Sequence, residues 1–190
     1  MYYNYGKRLM DLVLAAAIAP LAAAACVICI LLIRLDSQGP AVFRQLRVGR
    51  NKVPFVLYKL RTMSFGTENR ASHEISSSRI TRIGHFLRRT KLDELPQLIN
   101  VLKGDMSFVG PRPCLPNQHL LISERDRLGV FRAAPGITGA AQLSGIDMST
   151  PLELAEADAA YVRNIQFKDD LKFLYRTASG RGHGDAVSSN

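Results

Sequence analysis

The pattern of hydrophobic and polar positions divides the chain in two. From Leu9 to Ile33 it reads LMDLVLAAAIAPLAAAACVICILLI, almost wholly apolar. A bilayer-spanning helix needs roughly 20 such residues. The run is longer than the apolar region of a secretory signal and leads to no clear cleavage region. Pro20, near its middle, removes a backbone donor and bends or breaks a helix. After Arg34 the pattern becomes mixed. GPAVFRQLRVG and VPFVLYKLRTM lean toward β-structure and are joined by the turn-like GRNK. Residues 64–78 are polar and Ser-rich, the pattern of a mobile surface loop. TRIGHFLRRT predicts a short basic helix with Ile83, Phe86 and Leu87 on one side. Leu95, Leu98, Ile99 and Leu102 recur at helical spacing, and Gly104 is placed to cap that helix. GDMSFVGPRP reads as a rigid loop, residues 117–128 as a helix, and APGITGAAQL as a Gly/Pro turn followed by a short extended piece. Thr150–Pro151 opens a helix running to about Arg163, KDDLKFLYRT forms a last amphipathic helix, and the polar tail reads as disordered.

These elements predict a helix-rich α/β fold. A re-entrant membrane hairpin occupies residues 1–34, a small globular domain with surface amphipathic helices 35–178, and a tail 179–190. The length of 190 residues suits one domain with a real core.

Charge sharpens the picture. The net charge is +9 and the pI about 9.8, which calls for an anionic partner: nucleic acid, acidic lipid or a phosphorylated substrate. Lys7 and Arg8 precede the apolar run, and Arg34, Arg44, Arg47, Arg50 and Lys52 follow it. The positive-inside tendency draws both ends to the cytoplasm. A segment that enters, bends at Ala19–Pro20 and returns satisfies both, whereas a straight span leaves one cationic end outside. Asp11 is expected to pair with Lys7 or Arg8, one turn earlier. Cys26 and Cys29 lack a second ligand pair and, with Cys114, read as small apolar residues. The four histidines show no metal-ligand spacing, and no repeat is visible.

Between Arg79 and Arg112 lie seven Lys or Arg and three acids, two of them the adjacent Asp93 and Glu94 in TKLDELPQL. Two local readings stay open. Asp93 is the N-cap of a helix with Pro96 in its first turn, or Thr90 is the cap and Asp93 closes a box at N3. Free amides and the positive helix end favour a negative group there in either case. A carboxylate is also a competent nucleophile toward phosphorus. Phosphoryl transfer asks the protein mainly for positioning and charge neutralisation, often by a divalent metal with Lys or Arg. Mg²⁺ needs only one or two carboxylates plus substrate phosphates. Lys59, Arg61, Arg88 and Arg112 are the candidate cations for a diphosphate.

The segments KRLMDLVLA, GPAVFRQLRVG, FVLYKLRTM, RIGHFLRRTKLDELPQLINVLKGDMSFVGPRP and PGITGAAQLSG follow one another from about residue 7 to 145. In this order they resemble the bacterial sugar transferases, the small monotopic phosphoglycosyl transferases that begin surface glycan assembly on a polyprenyl carrier. The resemblance implies transfer of sugar 1-phosphate from a nucleotide diphosphate sugar, UDP-linked, to undecaprenyl phosphate, with release of UMP. It implies Asp93 as nucleophile and metal contact, Glu94 as Mg²⁺ ligand or activator of the acceptor, and Arg88, Arg112 and Lys59 on phosphates. It places the protein in the bacterial inner membrane with its active site on the cytoplasmic face, among bilayer lipids and without nucleic acid. Family members break the membrane helix at Ser-Pro; here the pair is Ala19–Pro20. No further module is expected. The sugar stays open, with Thr138, Gln142, the 64–78 loop and 114–128 as candidate recognition positions. A nucleotide-sugar pyrophosphatase using water is the alternative enzyme. A basic binding protein leaves Asp93–Glu94 unexplained and lacks an aromatic-rich nucleic-acid motif.

Overall fold

The computed structural model describes residues 2–67 and 77–180. Most of the predicted 64–78 loop and all but the start of the predicted tail lie outside the described residues. A single helix, α1 (Lys7–Asp36), carries the whole apolar run. It continues through Pro20, whose missing N–H leaves the helix one hydrogen bond short. The bend expected at Ala19–Pro20 thus falls inside one helix, with no intervening turn. Its buried residues, Lys7, Asp11, Ala15, Ala22, Cys29 and Ile33, recur at helical spacing and form one stripe. Ala15 and Ala22 pack with Leu98, Val101 and Phe108, while Cys29 and Ile33 pack with Ala41, Leu60 and Leu87. Small side chains on the stripe let the backbones approach closely. Leu21, Val27, Ile28 and Leu31 stand exposed on the rest of the helix.

Both ends of α1 are bonded to the same body. Near the start, Arg8 donates to the carbonyls of Val101 and Leu102. Lys7 Nζ lies 2.7 Å from Asp170, which also accepts from the Tyr2 and Tyr161 hydroxyls. Asp11 accepts from Ser107 Oγ and the Phe108 amide, each at 3.0 Å. Its hydrogen-bond partners are thus in a distant strand, while the expected Lys7, one turn earlier, acts on it through charge. At the far end, Asp36 accepts from the Ile83 amide at 3.2 Å.

β1 (Val42–Val48) and β2 (Pro54–Leu60) form the predicted antiparallel hairpin, in register Val42↔Leu60 to Val48↔Pro54. Asn51 and Lys52 take positive φ in its turn. α2 (Arg82–Thr90) follows, its N-cap Thr81 accepting from Gly84 N at 3.0 Å. A 3₁₀ turn over Leu92–Glu94 leads into α3 (Gln97–Lys103), which Gly104 ends at φ 90°.

The stretch expected as a rigid loop contains β3 (Ser107–Val109), parallel to β4 (Gly136–Thr138) in the register Ser107↔Gly136 and Val109↔Thr138. The glycines make this pairing possible. A Cβ on Gly136 would lie 2.1 Å from Gly110 N, and one on Gly139 2.3 Å from Gly110 O. α4 (His119–Arg127) lies between the two strands in sequence, and α5 (Ala140–Leu143), α6 (Pro151–Arg163) and α7 (Phe167–Ala178) complete the body. α4, α5 and α6 enclose a second core of Cys114, Leu121, Ala141, Leu154 and Ala155. Phe167, Leu171 and Tyr175 stand exposed along α7, as an amphipathic surface helix requires.

Candidate active site

The hairpin supplies the first side of the site. Inward positions alternate along each strand, so Gln45, Arg47, Leu57 and Lys59 share the buried face. Lys59 Nζ reaches Glu94 Oε1 at 3.1 Å, and Arg112 reaches the same oxygen at 3.7 Å. Arg47 donates to Gln45 Oε1 and to the carbonyl of Pro113, the latter at 2.8 Å.

The acids come from the bend between α2 and α3. Lys91, at φ 58°, stops α2 in a left-handed conformation and turns the chain into the 3₁₀ segment. Neither cap expected for Asp93 is formed: α3 begins four residues later, and Pro96 stands at its N-cap. Pro96 has no amide hydrogen to continue the turn pattern upstream, so the regular helix starts at Gln97. Asp93 is only 6% exposed although it is charged and lines a cleft.

That cleft has a volume of about 790 Å³ and takes Arg34, Arg44, Arg47, Lys59, Arg61 and Arg88 into its walls with Asp93. Glu94 lines a separate cavity of about 200 Å³ with Arg112, Thr138, Gln142 and Thr177. The acid pair therefore stands at a partition: Asp93 serves the large cationic cleft and Glu94 the small one. Of the residues singled out in the sequence, Lys59, Arg61 and Arg88 gather on the Asp93 side, and Thr138, Gln142 and Arg112 on the Glu94 side.

Burial raises the Asp93 carboxyl above the ordinary aspartate value; Lys59 opposes the shift and Glu94 adds to it. Burial acts on Glu94 in the same sense, but Lys59 and Arg112 outweigh it and hold that carboxyl below its usual value. Burial also lowers Lys59, against the pull of Glu94. One acid is thus fixed as an anion by its cations, while its neighbour keeps a less stabilised, more basic carboxylate.

Arg88 donates from Nε to Thr62 Oγ1 at 2.9 Å, while its buried Nη1 has no hydrogen-bond partner among the described residues. A buried guanidinium nitrogen left open beside a carboxylate suits an arriving anion. Arg61 lines the cleft and also braces the chain. Its terminal nitrogens donate to Ser37 O, Ser37 Oγ and Gln38 O, tying the end of α1 to β2. Arg47 and Gln45 are the residues sequence reasoning missed. Their signal was available: a polar–x–polar alternation in β1 facing Lys59 across the hairpin.

Among the described residues no group of three or more His, Cys, Asp or Glu could form a metal cage. Asp93 facing a cationic cleft fits a divalent ion carried largely by substrate phosphates, which needs one or two carboxylates.

A buried carboxylate at the wall of a cationic cleft sets a basic oxygen beside preorganised positive charge. The chain belongs to the bacterial sugar transferase family, whose model matches residues 2–181, and it is a transferase. It is 41% identical over 180 residues to a UDP-glucose:undecaprenyl-phosphate glucose-1-phosphate transferase of Caulobacter vibrioides, covering 90% of this chain and 67% of that protein. It is 39% identical over 171 residues to the uncharacterized sugar transferase EpsL of Bacillus subtilis, covering 90% of this chain and 84% of the relative. A UDP-N-acetylgalactosamine-undecaprenyl-phosphate N-acetylgalactosaminephosphotransferase of Aeromonas hydrophila is 35% identical over 185 residues, with 92% of this chain and 43% of that protein covered. α1 is long and apolar enough to cross a membrane.

Proposed function

We propose that the protein transfers sugar 1-phosphate from a UDP-sugar to undecaprenyl phosphate through a covalent aspartyl intermediate. The relatives' names supply the two substrates. The placement of Asp93, buried, of raised basicity and open to a cleft rich in arginine, supports its role as the nucleophile.

An Asp93 oxygen attacks the sugar-bearing phosphorus. A bond forms between them, the P–O bond to the nucleotide breaks, and UMP leaves with the electron pair. A phosphate oxygen of the lipid then attacks the same phosphorus, and the Asp93 carboxylate departs. Arg88, through its open nitrogen, with Arg47 and Lys59, neutralises the phosphates in the cleft. Glu94, held ionised by Lys59 and Arg112, keeps those cations in place and gives the partition its charge. A magnesium ion held by Asp93, with Glu94 beside it, and by the donor's diphosphate would supply further charge neutralisation.

α1 supports the proposed membrane seating. Its outward face is apolar, and both its ends are tied to one body. A monotopic helix entering and leaving the cytoplasmic face of the inner membrane accommodates both, bringing the cleft near the lipid phosphates.

Intact-mass measurement after mixing with UDP-sugar and Mg²⁺ tests the intermediate. The wild-type protein gains one phosphosugar with release of UMP, and Asp93→Asn gains none and loses transfer by at least about a thousandfold. Substantial turnover by Asp93→Asn would overturn the assignment. UMP release without lipid acceptor, continuing over many turnovers, would favour the pyrophosphatase.

A further inference from the structure

The small cavity on the Glu94 side has no task in the steps above. We propose that it seats the sugar ring of the donor, a hexopyranose, and that Gln142 and Thr138 recognise the ring's hydroxyl or amide groups. This rests on the covalent double displacement just described.

The geometry of displacement at phosphorus requires a seat of this kind. The nucleotide leaves in line with the attacking Asp93, and the lipid phosphate later attacks along that same line. Both therefore occupy the large cleft in turn. The sugar remains on phosphorus through both steps and projects away from the line, so it needs a place that neither partner uses. The partition offers one. Glu94 and Arg112, in contact at 3.7 Å, both line the cavity, and Asp93 is the next residue in the chain.

Size agrees. At about 200 Å³, the cavity is a quarter of the cleft. It falls below the roughly 300–1,000 Å³ of pockets that take drug-sized ligands. One ring suits it, and a nucleotide does not.

Hydrogen-bond bookkeeping identifies the chemistry. Thr177 donates its hydroxyl hydrogen to Phe173 O at 2.8 Å. In the 2.7 Å contact between the two hydroxyls, Thr138 must therefore be the donor. Its remaining capacity is to accept. Gln142 Nε2 donates to Ile137 O at 3.0 Å, which fixes the amide orientation. Among the described residues, the buried Gln142 Oε1 has no hydrogen-bond partner. Both side chains line the cavity, and each keeps an unused acceptor. A phosphate brings only acceptors to such a wall, whereas a sugar brings O–H and N–H donors. Phe108, Ile137 and Leu98 supply apolar surface for the carbon face of the ring.

The test compares donors with the full chain in detergent. Gln142→Leu should lower kcat/KM for the preferred UDP-hexose by about tenfold, the worth of one hydrogen bond lost to a buried site. It should also change the preference among UDP-glucose, UDP-galactose and UDP-N-acetylgalactosamine severalfold. Inhibition by UMP, which carries ribose but no hexose, should stay within twofold. Thr138→Val, which keeps the shape, should act in the same way if Gln142→Leu fails to fold. Equal loss for all donors, or UMP inhibition weakened as much as turnover, would overturn the proposal alone. Absence of any wild-type adduct or UMP release would instead bring down the double displacement, and this seat with it.

Discussion

Arg125 donates from Nη1 to the main-chain carbonyl of Arg112 at 2.8 Å. Its other terminal nitrogen lies 2.5 Å from Asp158, and both side chains are buried. With Arg47 on the Pro113 carbonyl, two arginines grip consecutive carbonyls of the PRP loop. The backbone that presents the Arg112 side chain to Glu94 is thereby fixed.

Asp158→Ala leaves the Arg125 guanidinium buried and without its counter-charge. A loss of about 3–5 kcal/mol in stability is expected, the usual result of removing one partner from a buried pair. Thermal unfolding of the detergent-solubilised protein measures it. Arg125→Lys keeps a positive charge but loses the fork that joins Asp158 to Arg112 O. Its transfer rate should fall by more than its melting temperature accounts for.

The pH dependence follows from Asp93. Its carboxyl is raised by burial, and the nucleophile must be ionised. As pH falls through the raised value, kcat/KM should fall, with the acid limb lying above the ordinary aspartate range of about 3.9. Glu94→Gln removes a like charge, so the limb of whatever transfer remains should move to lower pH. The stability sign is opposite to that of a salt-bridged acid. With the folded pKa above the unfolded one, stability declines as pH rises through the window between them. Asp93→Asn should therefore gain stability at neutral pH, and the gain should vanish in acid. A pH series of melting curves checks both.

For α1, Tyr5 and Leu35 are 78% and 85% exposed at its two ends. Single cysteines there, in a protein lacking its native cysteines, should react with an impermeant maleimide from the same side of sealed vesicles. Labelling of the two from opposite sides would refute the monotopic seating. Ile28→Lys, on the outer face, places a charge that costs roughly 2.5–3.5 kcal/mol at the centre of a membrane helix. The variant should shift out of the membrane fraction.

Gly84→Ala probes the support of Arg88. A Cβ at Gly84 would stand 2.0 Å from Thr62 O, so α2 and the segment after β2 must separate. Thr62 also accepts from Arg88. The variant should melt lower and show a raised KM for the donor, measured by UMP release.

The hairpin, α2, α4, α6 and α7 were legible because each carries its own period and its own stop. β3 was not, because three residues of strand look like loop until Gly110 and Gly136 are known to touch. Asp93 and Lys59 were legible as chemistry, since an acid among bases is unusual locally. The division of Asp93 and Glu94 between two cavities was not. It depends on the left-handed Lys91 and the 3₁₀ turn, and the short-range reading favoured a simple helix cap. Asp11 was legible in part: the sequence displays the lysine four residues away and hides the strand 96 residues distant. Arg61 was legible as a cation of the cleft, but not its second task of holding the chain at Ser37 and Gln38.

The stripe along α1 makes the helix a keyed shaft. Each residue advances a helix by 1.5 Å and turns it by about 100°. One residue inserted between Asp11 and Ala15 would rotate Ala22, Cys29 and Ile33 off the body and swing the outer leucines toward it. Outer-face substitutions among apolar residues should pass with little effect, while any change in helix length would throw both anchored ends out of phase.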